Sequence, residues 1–281
     1  MALLAMTAAW GSTFFMIKDV VTRIPVPDML TVRFTIAAVA LAVIAGPRLK
    51  MSRATLRRGL LLGLLYGIAQ LLQTVGLAHT AASVSGFLTG LYVVFTPLLS
   101  ALILRTRIAG SVWAAAVLAT AGLGVLSLQG FAIGYGELLT VASAVVYALH
   151  IVALGRMSEP GTALQLSVVQ MATIALVCGI AAAPGGIQLP TSGVDWAIVV
   201  YLALIAGALT MLLQTWAQAR VEASRAAVIM AMEPVWAAAF AVAFGGESVT
   251  WRMIIGGGAI LAAMYLVELA PRRPGRPRAP A

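Results

Sequence analysis

Charged residues are scarce in this chain. Asp, Glu, Lys and Arg make up 10% of its 281 residues, whereas 62% are hydrophobic and the mean hydropathy is +1.02. A soluble domain has about 25% charged and about 45–50% apolar residues, because its interior can bury only a limited apolar share. The composition therefore excludes a soluble globular protein and predicts an integral membrane protein whose partner is the lipid bilayer.

Cysteine and histidine are almost absent. Cys178 is the single cysteine, which excludes an internal disulfide and a multi-cysteine metal site. His79 and His150 are isolated, and the sequence contains no HExxH, GxSxG or glycine-rich phosphate loop. These absences predict a protein with no enzymatic activity, no metal and no cofactor.

Ten apolar runs alternate with short polar breaks along the chain. A membrane helix needs about 20 mostly apolar residues. Runs of about that length cover residues 1–22, 28–46, 58–77, 83–104, 111–128, 134–154, 163–183, 195–217, 225–244 and 251–269. We therefore predict an all-α fold of ten transmembrane helices. The tail, residues 271–281, is rich in Pro and Arg and is predicted to be a disordered, basic cytoplasmic segment.

Basic residues are distributed unevenly between the two sides of these helices. Of the 18 Lys and Arg residues, Arg23 and Arg252 fall in loops on one side, Lys18 and Arg33 fall inside helices, and the other fourteen fall on the opposite side or in the tail. Because basic loops tend to stay in the cytoplasm, both termini are predicted to be cytoplasmic. This distribution also accounts for the net charge of +9 without a nucleic-acid partner.

Landmark residues recur at a nearly constant distance in the two halves of the sequence. The tetrapeptide LLQT occupies residues 71–74 and 212–215. Three further pairs lie 137 or 138 positions apart: Trp10 with Tyr147, Pro97 with Pro234, and Trp113 with Trp251. We predict two repeats, residues 1–130 and 131–270, of five helices each. An odd number of helices inverts the second repeat relative to the first, and such inverted-topology repeats are typical of secondary transporters.

Three segments resemble a known family. Helix 1 carries AAWGSTFF with a lysine near its outer end, helix 4 reads SGFLTGLYVVFTPLL, and helix 9 reads EASRAAVIMAMEPVWAA followed by GGES. They resemble the two EamA-type repeats of the drug/metabolite transporter superfamily, over essentially the whole chain. Within that superfamily, the chain resembles the YddG-type exporters of aromatic amino acids. The resemblance implies a ten-helix exporter in the bacterial inner membrane, either facilitative or driven by a proton or other gradient.

Polar and aromatic side chains share helix faces inside the predicted membrane segments. Polar groups are costly in a bilayer and usually face the bundle interior, and residues three or four apart share a helix face. Amides and hydroxyls suit the polar ends of a solute, and aromatic rings suit its apolar body. The predicted substrate-binding residues are Trp10, Phe14, Tyr66, Gln70, Gln73, Tyr92, Tyr147, His150, Gln214, Gln218 and Trp236. The alternative that the amides join helix to helix stays open.

Three charged residues fall within the predicted helices. Glu233 is expected near the middle of the membrane, where an ionised carboxylate is costly, so it is a candidate proton carrier or else a protonated structural residue. Lys18 and Arg33 lie near the outer helix ends and are expected to extend toward the outer interface. Arg33 corresponds in the repeat to Gln170, 137 positions later.

Two prolines lie at matching positions of helices 4 and 9. A proline inside a helix removes one backbone donor and kinks the helix. Pro97 and Pro234 are therefore predicted to be gating hinges, with static bends that shape the bundle as the alternative.

Together these features predict a secondary transporter. It is expected to export amino acids, aromatic and other large apolar ones, or similar small metabolites, across the bacterial inner membrane by alternating access. Its expected partners are this small-molecule substrate, lipid and, if Glu233 titrates, protons. A multidrug, organic-cation or other metabolite carrier on the same fold is the alternative, and a channel also stays open. Phosphorylated substrates are disfavoured, since only Lys18 and Arg33 could supply positive charge.

Overall fold

The computed structural model describes residues 2–104, 110–129, 132–159, 161–219, 230 and 232–269, and these residues are mainly helical. Two π-helical segments occur: Leu204–Leu209 lies between α9 and α10, and Met253–Gly257 precedes α12. The described α-helices are α1 (Ala2–Val20), α2 (Val26–Ala45), α3 (Arg53–Ala78), α4 (Ala82–Gly90), α5 (Tyr92–Leu104), α6 (Gly110–Ser127), α7 (Tyr135–Met157), α8 (Ala163–Ala182), α9 (Gly193–Ala203), α10 (Thr210–Gln218), α11 (Glu233–Ala243) and α12 (Gly258–Leu269).

A short hairpin lies between α6 and α7, at the predicted junction of the two repeats. Its strands β1 (Leu128–Gln129) and β2 (Ala132–Ile133) pair antiparallel. Leu128 lies opposite Ile133, and Gln129 lies opposite Ala132. The predicted disordered tail, residues 271–281, lies outside the described residues.

Each of the ten predicted apolar runs contains helical residues. Within the described residues, six helical stretches are long and apolar enough to cross a bilayer, and shorter apolar helices accompany them. Large apolar side chains cover the outside of the bundle, such as Val43 (75% exposed) and Ile180 (66% exposed). Lipid favours this arrangement and water does not. The structure confirms an all-helical fold with membrane-spanning helices, whereas the number of ten spans and their inverted orientation stay predictions.

Three of the runs predicted as continuous helices are interrupted, and one of them is run 251–269, which contains the π-helical segment Met253–Gly257. Run 83–104 forms α4 and α5, which are separated at Leu91. Run 195–217 begins as α9, widens into the π-helical segment Leu204–Leu209 and continues as α10. An unbroken apolar sequence does not signal such a change of helical pitch, although π-helical turns frequently occur at functional sites.

Serine side chains fix the starts of two helices. The Ser52 hydroxyl accepts a hydrogen bond from the Thr55 amide at 3.1 Å, so α3 begins at Arg53, earlier than its apolar run. The Ser192 hydroxyl accepts one from the Asp195 amide at 3.0 Å at the start of α9. Both bonds satisfy a backbone donor that has no partner within the first helical turn.

The two prolines predicted as hinges occupy different places in their helices. Pro97 lies inside α5, but the interruption of its run falls at Leu91. Pro234 lies in the first turn of α11, where a missing amide costs no helical hydrogen bond. Residues 220–229 and 231, which precede this helix, lie outside the described residues. The hinge role of both prolines stays a prediction.

Helices of the two predicted repeats pack against each other. Contacts join α3 to α7 and α8, α2 to α8, α1 and α4 to α11, and α6 to α12. A Cβ atom added at Gly11 would lie 2.4 Å from the Cβ of Trp236, and one added at Gly86 would lie 2.4 Å from the Cβ of Ala237. Glycine at these positions lets α1 and α4 approach α11 closely, as small residues do in membrane bundles.

Candidate functional site

A buried cavity lies where helices of both halves meet. Its volume is about 40 Å³, which is room for roughly three water molecules. Nine of the eleven predicted substrate-binding residues line it, together with Glu233. The full lining consists of Trp10, Thr13, Phe14, Ile17, Arg33, Tyr66, Gln70, Gln73, Thr89, Tyr92, Tyr147, His150, Ile151, Gln214, Met230 and Glu233.

The hydroxyl of Tyr147 on α7 connects the second half to the amides of α3. Gln70 Nε2 donates to this hydroxyl at 2.6 Å, and the hydroxyl donates to Gln73 Oε1 at 2.9 Å. Gln73 Nε2 in turn donates to Thr89 Oγ1 at 3.0 Å. The ring of Tyr66 meets the Tyr147 ring edge-on, with 5.3 Å between centroids. This chain of contacts fixes the orientation of one wall of the cavity.

A hydrogen bond equivalent to the one between Tyr147 and Gln73 connects α1 and α10 on the opposite wall of the cavity. Trp10 Nε1 on α1 donates to Thr210 Oγ1 on α10 at 2.9 Å. Trp10 and Tyr147 lie 137 positions apart, and so do Gln73 and Thr210. The same contact, from a ring on the first helix of one half to a polar group on the third helix of the other, therefore occurs twice. Gln73 corresponds to Thr210 in this contact, and not to Gln214 as the doubled LLQT suggests.

Glu233 lies at the start of α11 and is 5% exposed. The Tyr92 hydroxyl donates to Glu233 Oε2 at 3.0 Å and approaches the Met230 carbonyl at 3.2 Å. Tyr92 follows the interruption between α4 and α5, so the break in the first half places this hydroxyl against the helix start in the second half. Among the described residues, the carboxylate thus has one hydrogen-bond donor, and Glu233 also lines the cavity.

Arg33 differs from the expectation that it extends to the outer interface, whereas Lys18 contacts the end of α3 that is predicted to be outside. Arg33 is 3% exposed and lines the cavity, and its Nε donates to the Leu202 carbonyl at 3.1 Å. Lys18 is half-buried and donates to the carbonyls of Leu77 at 3.2 Å and Thr80 at 2.6 Å. These carbonyls at the end of α3 suit a cation. Snorkelling of Arg33 is therefore wrong, because α2 turns this side chain toward the interior.

Several buried polar atoms at the cavity have no hydrogen-bond partner in the described part of the chain. They are Gln70 Oε1, Gln214 Oε1 and His150 Nδ1. The other ring nitrogen of His150, Nε2, is hydrogen-bonded to Gln170 Oε1 at 2.9 Å. Buried polar atoms are costly when unpaired. The side chains of Gln70, Gln214 and His150 that carry these atoms line the cavity.

Two predicted substrate-binding residues do not line the cavity. Gln218 is buried on α10 away from it. Trp236 lies against Gly11 and stacks on Phe240, with 6.0 Å between ring centroids. This aromatic row continues along α11 to Phe244, which is 70% exposed. Trp236 therefore belongs to helix packing near the lipid-facing side.

One end of the bundle carries polar contacts between the two halves. Arg23, after α1, forms an ion pair of 2.6 Å with Asp195 on α9 and another of 2.6 Å with Asp19. Both carboxylates raise the pKa of the Arg23 guanidinium, so it stays protonated at any physiological pH. Glu247 accepts a hydrogen bond from the Ala82 amide at 2.6 Å. These contacts join the two halves at the end of the bundle that the basic-residue distribution predicts to be outside.

The lining combines ring faces, amides, hydroxyls, a carboxylate and a guanidinium. Such a combination recognises a small solute that has an apolar body and polar ends. Among the described residues, no group of three His, Cys, Asp or Glu side chains is placed to hold a metal ion.

Known proteins resemble this chain in sequence and in fold. The EamA-like transporter family matches residues 1–128 and again residues 134–269. An uncharacterised transporter of Archaeoglobus fulgidus is 30% identical over 265 residues, which cover 92% of this chain and 82% of that protein. A crystal structure of a protein that is 20% identical covers 95% of this chain and 96% of its own, with a TM-score of 0.69, which shows likeness of fold.

Members of this family are transporters and not enzymes. The family assignment agrees with the apolar helices and with a cavity built by both halves. The chain is thus a multi-pass membrane transporter that belongs to the EamA-like transporter family of the drug/metabolite transporter superfamily.

Proposed function

We propose that this transporter exports aromatic and other large apolar amino acids, or similar small metabolites, across the bacterial inner membrane. Transport proceeds by alternating access, and the substrate binds in the cavity between the halves. Both termini are cytoplasmic, and ten helices form two inverted repeats. Protons are the candidate coupling ion, with Glu233 as their carrier.

The observation that carries the proposal is the lining of the cavity. Rings of Trp10, Tyr66 and Tyr147 stand beside amides of Gln70, Gln73 and Gln214. Ring faces gain free energy by covering an apolar side chain, and amides form hydrogen bonds with amino and carboxylate groups. An aromatic amino acid offers both kinds of group in one small molecule.

The pairing of helices supports two halves related by a two-fold axis. The second helix of each half packs on its counterpart (α2 on α8), as do the fourth (α4 on α11) and the fifth (α6 on α12). Contacts between corresponding elements are what a two-fold axis produces. In inverted-repeat transporters the substrate binds at the interface of the repeats, which is where this cavity lies.

Alternating access requires the cavity to open to one side of the membrane at a time. The Arg23–Asp195 ion pair joins the two halves at the end of the bundle that is predicted to be outside. Opening at that end would therefore require this ion pair to break.

A second candidate function is the export of organic cations. Glu233 favours it, because its buried carboxylate faces the cavity and could bind a positively charged drug. The aromatic rings would add attraction for a cation. The two candidates differ in whether the substrate also carries a carboxylate.

Transport by the purified protein in liposomes tests the proposal. Vesicles are loaded with unlabelled substrate, and entry of radiolabelled Phe, Trp, Met or Thr is measured with and without a pH gradient. Faster exchange of Phe, Trp and Met than of Thr is the expected result. No exchange of any amino acid, with exchange of a labelled organic cation by the same vesicles, would contradict the amino-acid proposal and favour the second candidate.

A further inference from the structure

We propose that Arg33 binds a carboxylate group of the transported solute, and thereby selects substrates that carry one. This inference rests on the proposed function and narrows its substrate class. Its starting point is the position of a permanent positive charge inside the bundle, on the wall of the cavity.

The Arg33 guanidinium has no carboxylate partner in the described residues. The ion pairs found there involve Arg23 and Arg58 instead. Arg33 has five N–H donors, of which Nε is directed to the Leu202 carbonyl at 3.1 Å. Its Cζ lies 4.9 Å from the centroid of the Phe34 ring. The backbone carbonyl and the ring orient the guanidinium but do not neutralise it.

A buried cation without a counter-ion is costly. Removing one partner of a buried ion pair usually destabilises a protein strongly, and ionisable groups inside membranes face partners or pathways. Arg33 lines the cavity, so an anion bound there would supply its partner. A carboxylate fits best, because its two oxygens match the planar N–H fork of a guanidinium.

The other groups on the wall suit the remainder of an amino acid. Glu233 carries the complementary charge for an ammonium group. Gln70 Oε1 and Gln214 Oε1 are acceptors without a partner in the described residues. A zwitterion could therefore satisfy both buried charges, whereas an organic cation would leave Arg33 unpaired and be repelled by it.

Arg33 is also specific to one half. The corresponding residue of the other half, Gln170, is neutral and hydrogen-bonded to His150. Substitution of Arg33 by Gln therefore places the second half's own residue at this position. It retains a polar group of similar length and removes the charge.

The test measures ligand binding to the purified full-length chain in detergent, from the rise of Tm with ligand concentration. The ligands are L-phenylalanine, 3-phenylpropionate, which lacks the ammonium group, and phenethylamine, which lacks the carboxylate. The wild type should bind phenylalanine and 3-phenylpropionate on the order of tenfold or more tightly than phenethylamine. Arg33→Gln should lose roughly tenfold to a hundredfold in affinity for the two carboxylates and none for phenethylamine.

Controls keep the outcomes distinct. Arg156→Gln, at an exposed position of α7, should bind all three ligands like the wild type. Arg33→Lys retains the charge without the fork and should show an intermediate loss; if Arg33→Gln does not fold, Arg33→Lys and the wild-type ligand ratio decide. Unchanged carboxylate selectivity in a folded Arg33 variant overturns this inference alone. Wild-type binding of phenethylamine without either carboxylate overturns the proposed amino-acid function as well.

Discussion

The two halves of the molecule place different side chains at corresponding positions around one cavity. Along α1 and α7, Trp10 corresponds to Tyr147, Thr13 to His150 and Phe14 to Ile151, always 137 residues apart. All six line the cavity. The positions that line the cavity are thus the same on both helices, whereas the side chains at these positions differ in chemical type.

The repeated residues hold the two halves together, whereas the unrepeated charged residues are expected to select the substrate. The cross-half bonds of Trp10 and Tyr147 to the third helix of the other half are structurally equivalent. The charged groups are not repeated: Arg33 corresponds to Gln170, and Glu233 corresponds to Thr96. A solute bound in this cavity would therefore meet unlike surroundings on its two sides, as the proposed substrate with two different ends requires.

The largest effect on stability is expected at Gly11, where the close packing of α1 on α11 leaves no room for a side chain. Gly11→Ala would bring a Cβ to 2.4 Å from Trp236 Cβ and 2.8 Å from the Ala237 amide nitrogen. The cost should be on the order of 3 kcal/mol of stability. The corresponding residue of the second half, Ala148, already carries a Cβ and is fully buried.

Ala148→Gly is the matched control for this change. It should cost only about 1–2 kcal/mol, from helix propensity and a lost methyl contact. Thermal unfolding in detergent, followed by the fraction of monodisperse protein, compares the two variants. Equal losses of Tm would show that the close contact of α1 with α11 is not specific to Gly11.

The next largest effect concerns the two equivalent hydrogen bonds. Tyr147→Phe removes a hydroxyl with two amide partners, Gln70 and Gln73. Thr210→Val removes the acceptor of a single bond from Trp10. The first variant should lower kcat/KM for phenylalanine roughly tenfold to a hundredfold, and the second about threefold to tenfold. If Thr210→Val lowered kcat/KM more than Tyr147→Phe, the hydrogen bond of Trp10 would matter more for transport than those of Tyr147, contrary to this account.

A third comparison concerns the acidic residue present in only one half. Glu233→Gln should fold, because an amide oxygen can still accept from Tyr92 Oη, where the bond is 3.0 Å. If Glu233 carries the proton, this variant should exchange phenylalanine but no longer respond to a pH gradient. Glu159→Gln, at an exposed position, should respond like the wild type. A normal response in Glu233→Gln excludes this residue as the proton carrier.

The smallest effect is expected for a residue outside the cavity. Trp236→Phe keeps an aromatic ring beside Phe240 and should change phenylalanine transport by less than about twofold.

The cavity variants Trp10→Ala and Gln73→Ala serve as the comparison. Each should reduce phenylalanine transport by about tenfold or more without loss of folding. Transport rates are normalised to the amount of reconstituted protein. A large loss of transport in Trp236→Phe would show that Trp236 contributes to substrate binding after all.

Spacing along single helices predicted much of the cavity wall. Tyr66, Gln70 and Gln73 share one face of α3, and Tyr147 and His150 share one face of α7, because polar groups in a membrane helix face inward. The structure brings these side chains together at one cavity. Thr13 and Thr89 were not predicted, since an isolated threonine in a helix commonly hydrogen-bonds its own backbone, as Thr13 does to the Trp10 carbonyl.

The positions of Trp236 and Arg33 could not be predicted, because they depend on how each helix is rotated and how deep it lies in the bundle, and the sequence indicates both only weakly. A membrane helix is apolar both toward lipid and toward protein, so hydrophobicity does not identify the inner face. Trp236 was therefore assigned to the cavity although its ring packs beside Phe240. Arg33 was placed at the interface because distance from a helix end gives no direction for the side chain. Arg33 is buried where α2 packs against α8 and α9.

Protection of a cavity cysteine by substrate tests the central claim most directly. In a Cys178→Ala background, Thr13→Cys places a thiol on the cavity wall, and Trp236→Cys places one outside it. Labelling of each variant by a small membrane-permeant thiol reagent is timed with and without phenylalanine. The account predicts that phenylalanine slows labelling at position 13 several-fold and leaves position 236 unchanged. Equal labelling rates at position 13 with and without phenylalanine, in a variant that still transports it, would contradict binding in this cavity.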